Sequence, residues 1–268
     1  MNSSAANSTA SAVGSASRID ASWLKPVAMI LVAAIALAVW QFLPPALGVP
    51  KFIIPTVTDM ADEFQRMVVR ENLAKHFFST AWTATLGFVI GGLFGATVGY
   101  LLGLSRFWES VLSPYILAMQ IAPKVAFAPL FIMWFGYTFW PKLLTTVLVV
   151  FFPILVNVSQ AVRVADRDLV NLARAYSMTP VQSFWKVLFP LSMPSLMAGL
   201  RIGATLAVIG VTVGELVGGN TGLGFLITYG EGQSNTAMVF NAIVLLTIIG
   251  LVLYWVVGLV EKRVLHYV

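Results

Sequence analysis

Long apolar runs separated by short polar segments dominate the chain. The first covers 27–43 and ends at Leu43-Pro44-Pro45. Five more lie at about 79–104, 112–134, 142–162, 196–217 and 237–260. Each is near the ~20 residues that a helix needs to cross ~30 Å of hydrocarbon. The pattern therefore predicts an all-α integral membrane protein with six transmembrane helices. A secretory signal is usually shorter than 27–43 and ends at an Ala-x-Ala site, which is missing, so this run is read as a retained helix. Residues 1–25 are rich in Ser, Ala and Asn and hold almost no large apolar side chain. Such a segment cannot bury enough surface to fold, which predicts a disordered tail 1–25 ahead of a transmembrane domain 26–268.

Polar and small residues inside the runs mark where helices meet or break. The second run carries Gly87, Gly91, Gly95, Gly99 and Gly103, one ridge on which a second backbone can approach closely. The fifth repeats the device with Gly199, Gly203, Gly210, Gly214 and Gly218. The third is interrupted by Gln120-Ile121-Ala122-Pro123-Lys124 and then Pro129. Proline frees helix carbonyls, which inside a bilayer must face protein or a watery cavity. Lys124 either lines a pore or is paired or snorkelling. Arg201 can snorkel to the nearer interface. Glu215 is either a gate residue or a carboxylate held by backbone donors. Gln120, Lys124 and Glu215 are thus the candidates for a translocation pathway.

Two polar segments have structure of their own. Thr56-Val57-Thr58-Asp59 fits a helix start, and Val57, Met60, Phe64, Met67 and Val68 recur at helical spacing. This predicts an amphipathic helix at the outer surface, either a packing strut or a contact for an external partner. In the inner loop 163–194, Leu169, Leu172, Ala173 and Tyr176 form one helical stripe after Asp166. Thr179-Pro180-Val181-Gln182 reads as a capping box that starts a second helix. Val181, Phe184, Trp185 and Leu188 form its stripe, and Pro190 and Pro194 are expected to stop it. The two stripes either dock into a partner's groove or fold back on the bundle.

Composition narrows the function classes. Of 268 residues, 59% are hydrophobic and 10% charged, with mean hydropathy +0.88, far outside the range of soluble domains. The net charge is +5, but the basic residues are scattered singly, with no stripe suited to nucleic acid. They fit topology signals instead. Arg18, Lys25, Arg106, Arg163, Arg167, Arg174, Lys186, Lys262 and Arg263 fall in segments that share one side if both termini are cytoplasmic. There is no cysteine, and His76 and His266 stand apart as interfacial or terminal residues, so no metal site or clustered acid–base pair is expected. A secondary transporter or channel remains the alternative, though no convincing internal repeat relates the two halves.

The inner loop resembles the EAA loop of importer-type ABC transporter permeases, E-A-A-x-x-x-G followed nine residues later by I-x-L-P. Here the register is Asn171-Leu172-Ala173, three residues, Ser177, nine residues, then Val187-Leu188-Phe189-Pro190. Asn171 stands for the leading Glu. Ser177 stands for the turn Gly, at a cost of about 1 kcal/mol if its φ is positive. Ala122 to Leu130 with Trp134-Phe135-Gly136, then Gly199-Leu200-Arg201, Gly214-Glu215-Leu216 and Gly222-Leu223-Gly224-Phe225, resemble one branch of that family. That branch carries nitrate, sulfonates, taurine, and thiamin-pyrimidine or riboflavin precursors.

The resemblance implies a type I importer in a bacterial inner membrane. Two permease copies would cross the membrane, two separate ATP-binding subunits would dock on the loops, and a periplasmic or lipid-anchored binding protein would hand over the solute. Asn171, Leu172, Ala173, Tyr176, Ser177, Phe184 and Pro190 would form the ATPase-coupling loop. The chain has no G-x-x-x-x-G-K-[ST], so ATP and Mg would belong to the partner, and the chain itself would be neither an enzyme nor a cofactor carrier.

Overall fold

The structure, a computed structural model, describes residues 24–165, 169, 173 and 175–266. Most of the expected tail 1–25 lies outside these residues, as do Asn171 and Leu172. Among the described residues every regular element is a helix. They divide into two compact units, with the boundary after Thr58.

The first unit holds α1 (Leu24–Ala46), which runs through Pro44 and Pro45 before it stops. The chain then folds back on the last turns of α1. The Trp40 indole donates to the Pro55 carbonyl at 3.0 Å, and the Gln41 amide exchanges bonds with Thr58 at 3.1 and 3.2 Å.

The second unit begins inside α2 (Val57–Arg70) and continues through α3 (Leu73–Leu104) and α4 (Arg106–Ile121). A 3₁₀ turn (Lys124–Phe127) leads to α5 (Ala128–Phe135), then α6 (Phe139–Val164). After the loop come α7 (Pro180–Ser183), a π turn (Phe184–Leu188), α8 (Phe189–Gly218), α9 (Leu223–Gly232) and α10 (Thr236–Val264). Among the described residues five helical stretches are long and apolar enough to cross a membrane. The expected third span is a broken pair, α4 and 124–135, bent by 80°. The break sits where the residues demand it. Pro123 has no N–H to continue α4, and Ala122 makes its last bond to the Ala118 carbonyl at 3.0 Å.

α6 runs between two glycine-faced helices. On the α3 side, a Cβ on Gly91, Gly95 or Gly99 would lie 2.9, 2.6 or 2.7 Å from the carbonyl oxygen of Val147, Phe151 or Leu155. On Gly103 it would lie 2.7 Å from Val162 Cβ, and on Gly87 it would strike the Thr146 side chain. On the α8 side, Gly210 and Gly214 would meet Thr146 Cα at 2.8 Å and Lys142 Cα at 2.7 Å. Only glycine allows this approach, and dispersion across the contacts holds the layers together where lipid offers no hydrophobic drive. Val150, Ile154 and Val158 of α6 fill the space between with Tyr100, Leu196 and Ala207.

Two expectations need correction. Pro190 and Pro194 do not stop the second loop helix. Helix runs unbroken from Pro180 to Gly218, 39 residues or about 58 Å. The π turn shifts the bonding register just ahead of Pro190, so the Phe189 N–H reaches the Phe184 carbonyl, and the ring then falls in the first turn of α8. The second correction concerns α2, whose inward face holds Glu63 and Met67, whereas Phe64 and Val68 are exposed. Glu63 tolerates burial because Asn235 Nδ2 donates to it at 2.8 Å and Arg66 at 3.4 Å. Asn241 Nδ2 also donates to the Met60 carbonyl at 2.8 Å, so α2 is strapped to the start of α10.

If the glycine ridge sets the α3–α6 distance, Gly99→Leu overpacks it at a cost of about 1–3 kcal/mol or more. The thermal unfolding midpoint in detergent should fall by several degrees. Gly232→Ala meets nothing within 4 Å and should hold or raise the midpoint, because alanine gains about 0.5–1 kcal/mol in a helix.

Candidate functional site

Three groups of chemistry-bearing residues stand out, one at each end of α8 and one at the break after α4.

At the loop end, Ala173 is 2% exposed while Tyr176 is 72% exposed. The turn between them closes with the Met178 N–H on the Ala173 carbonyl at 3.1 Å. Ser177 makes this turn at φ 54°, the left-handed region that the usual glycine would take freely. The Thr179 hydroxyl then accepts from the Gln182 N–H at 3.3 Å, and the Thr179 N–H donates to Gln182 Oε1 at 3.0 Å, a complete capping box. Phe184 turns inward against the Tyr100 ring (5.3 Å, edge-on), with Phe189 at 5.8 Å from the same ring. The Tyr100 hydroxyl lies 2.9 Å from Ser192 Oγ. Val181 and Trp185 stay exposed. One stripe is thereby split, with Phe184 anchoring the loop to the bundle and the others left on the surface. Pro190 opens α8 directly behind this anchor.

At the break, the Lys124 ammonium donates to the Gln120 carbonyl at 2.6 Å. That oxygen lies four residues before Lys124 and would take the Lys124 N–H if α4 continued past Ile121. The ammonium also lies 5.2 Å from the Phe152 ring centroid on α6, within cation–π range. Gln120 and Lys124 thus share one spot, each half-buried.

The far end of α8 holds a closed junction. Glu215 has 0% exposure. Thr80 Oγ1 lies 3.0 and 2.9 Å from its two carboxylate oxygens, and the Gly224 N–H donates to Oε2 at 2.9 Å. The same Thr80 oxygen accepts the Leu223 N–H at 2.8 Å. His76 Nδ1 sits 3.1 Å from both the N and the O of Gly222, and its ring stacks on Phe225 at 5.7 Å. Lys142, 4% exposed, donates to the Thr221 carbonyl at 2.8 Å and to its hydroxyl at 3.1 Å. Gly222 has φ 117°, and a Cβ there would land on the Glu215 carboxylate. A buried charge is tolerable only with such a set of donors, and among the described residues no buried side-chain polar atom lacks a partner.

Glu215 is therefore placed apart from Gln120 and Lys124, in a junction with the motif at 222–225 and with His76, Thr80 and Lys142, which the sequence reading does not select as site residues. The sequence sets His76 apart as an interfacial residue, whereas the structure buries it in this junction. Lys142 marked only the start of a span. The signal that was available is the one-turn spacing of His76 and Thr80, which puts both on one face of α3. Arg201 does not simply snorkel. It pairs with Glu261, bonds the Tyr254 hydroxyl at 3.1 Å, and lies over that ring at 5.3 Å.

Replacing buried Lys142 with Met strips two partly buried acceptors on Thr221, a cost of about 1–3 kcal/mol. The unfolding midpoint of Lys142→Met should drop clearly. Lys262→Met, at an exposed site, should change stability by no more than about 0.5 kcal/mol.

Residues 83–266 match the family of binding-protein-dependent transport system inner membrane components. The chain is 35% identical to the riboflavin transport system permease RibX of Chloroflexus aurantiacus, covering 90% of this chain and 89% of that protein. It is 30% identical to the aliphatic sulfonates transport permease SsuC of Bacillus subtilis, over 91% and 88%. It is 32% identical to the formylaminopyrimidine transport permease ThiX of Halalkalibacterium halodurans, over 86% and 92%. Among solved structures, a chain of the inward-facing MetNI methionine ABC transporter superposes with TM-score 0.62 at 22% identity, over 72% of this chain and 95% of that one.

Proposed function

Because the chain belongs to the family of binding-protein-dependent transport system inner membrane components, and is a transmembrane permease of an ABC importer, we propose that two copies work with two separate ATP-binding subunits. ATP and Mg are held by those subunits. A binding protein outside the membrane delivers the solute. Both termini lie in the cytoplasm, a reading supported by the basic residues that cluster in the segments this topology places there.

The observation that carries this reading is the hairpin between Ala173 and Trp185. It leaves Tyr176, Val181 and Trp185 exposed while Phe184 and Phe189 fasten it to Tyr100. An exposed aromatic and aliphatic face on a rigid base is suited to a groove on a partner. Its attachment to an unbroken helix of 39 residues lets a push at the loop tilt the whole span as a body. Asn171 and Leu172 complete the coupling loop in this reading.

The solute is a small organic anion such as a sulfonate or taurine, nitrate, or a small heterocycle. The relatives named for sulfonates, riboflavin and formylaminopyrimidine support that range. Lys124, at the break, is the residue best suited to attract an anion, and with Gln120 it forms the pathway candidate.

Ala173→Glu puts a charge into a nearly closed site and should uncouple the complex. Uptake of labelled taurine into proteoliposomes should fall at least about tenfold, or 1.4 kcal/mol, while ATP turnover persists. Unchanged uptake would remove the coupling role. Lys124→Ala should reduce the rate for taurine several-fold but leave a neutral heterocycle such as riboflavin little affected. Equal kinetics of the wild type and Lys124→Ala with each solute would assign Lys124 to capping Gln120 alone.

A further inference from the structure

The junction around Glu215 joins parts of the chain that sequence distance keeps apart. Glu215 and the glycines after it end α8, Thr80 and His76 belong to α3, Lys142 opens α6, and Leu223 and Gly224 start α9. The Thr80 hydroxyl is the central link, because it accepts the Leu223 N–H at 2.8 Å and has the carboxylate of Glu215 at 2.9 Å. Gly224 completes the loop from the carboxylate back to α9 at 2.9 Å. On the connecting segment, Lys142 holds Thr221 and His76 holds Gly222. Space is as tight as the bonding. A Cβ on Gly224 would lie 2.6 Å from Glu215 Cβ and 2.8 Å from the Thr212 carbonyl. α9 itself is only ten residues long. A helix of that length is marginal alone and takes its position from what it is fastened to.

We propose that Glu215, through Thr80 and Gly224, is a positioning residue that makes α9 move as one body with α8 during transport, so that displacement of the coupling loop reaches the opposite membrane face at α9. Glu215 and Thr80 then touch no solute. They act by keeping α9 from lagging behind α8. The lock stays closed throughout the cycle, since opening it would strand a buried carboxylate and two amide donors in a water-poor site. This inference rests on the reading of the chain as a dimeric, ATPase-driven permease.

The chain has no cysteine, which permits a clean test. Single spin labels at Glu231→Cys, exposed at the end of α9, or at Val217→Cys, exposed on α8, each report one distance between the two copies. They are measured in the full complex with its ATPase subunits, nucleotide-free and trapped with ATP and vanadate. Both labels should shift on trapping in the otherwise wild-type chain. With Thr80→Val, which removes the hydroxyl at constant shape, the Val217 shift should persist while the Glu231 shift falls below half and its distribution broadens. Thr80→Ser should restore it. An undiminished Glu231 shift in Thr80→Val overturns the lock but leaves the importer reading standing. Absence of any Val217 shift in the wild-type background overturns both. Hydrogen exchange on the wild-type complex gives a check that needs no variant in the junction. The amides of Leu223 and Gly224 should stay equally protected in both states, and loss of their protection on trapping contradicts a lock that stays closed.

Discussion

Inside a bilayer, a backbone or carboxylate group that leaves the regular helix ladder must find its partner within the protein, because no water is present to serve it. Three irregularities among the described residues obey that constraint. Where α4 stops at Pro123, the Lys124 ammonium takes the Gln120 carbonyl. Where Pro190 would break the long helix, a π turn moves the bonding by one residue ahead of it. Where α8 ends and α9 begins, Glu215, Thr80, His76 and Lys142 supply the bonds that the 219–224 segment lacks. The bonds at Pro123 and Pro190 are local, whereas those between α8 and α9 tie distant parts of the sequence together.

This gives the permease its mechanical character. Glycine-faced α3 and α8 grip α6 at backbone distance, so the three helices cannot slide without steric collision. The loop is fastened to one end of that body by Phe184, Phe189 and Tyr100, and α9 to the other end by the Glu215 junction. Packed bodies of this kind respond to a push by rotating as units. The Ser177 turn, held at positive φ, keeps the exposed part of the loop at a fixed angle to its anchor.

Much of this was legible in the sequence, and what was not has a physical cause. Apolar run lengths were enough to place the spans, and the capping residues Thr179 and Gln182 announced their helix start correctly, because both signals are local. The four-residue glycine spacing pointed to a tight interface but could not name α6 as its partner, since nothing in α6 is unusual in composition. Pro190 does not stop the helix because the π turn just ahead of it avoids the clash that a regular helix would impose, and nothing in the local sequence announces that turn. Glu63 lies outside the apolar stripe Val57, Met60, Phe64, Met67 and Val68, and its burial depends on Asn235, 172 positions away. His76, Thr80 and Lys142 failed to stand out for the same reason. Each is an ordinary residue at the edge of a span until folding brings the Gly222 segment against it.

In the proposed assembly this chain is half of the membrane-crossing core of a machine whose ATPase is carried by other subunits. Native mass measurement of the assembly purified through this chain from its own membrane tests that claim most directly. Two copies of the chain bound to two copies of a nucleotide-binding subunit is the expected composition. A chain that purifies as a self-contained monomer or oligomer, with no ATP-binding subunit attached, would contradict it.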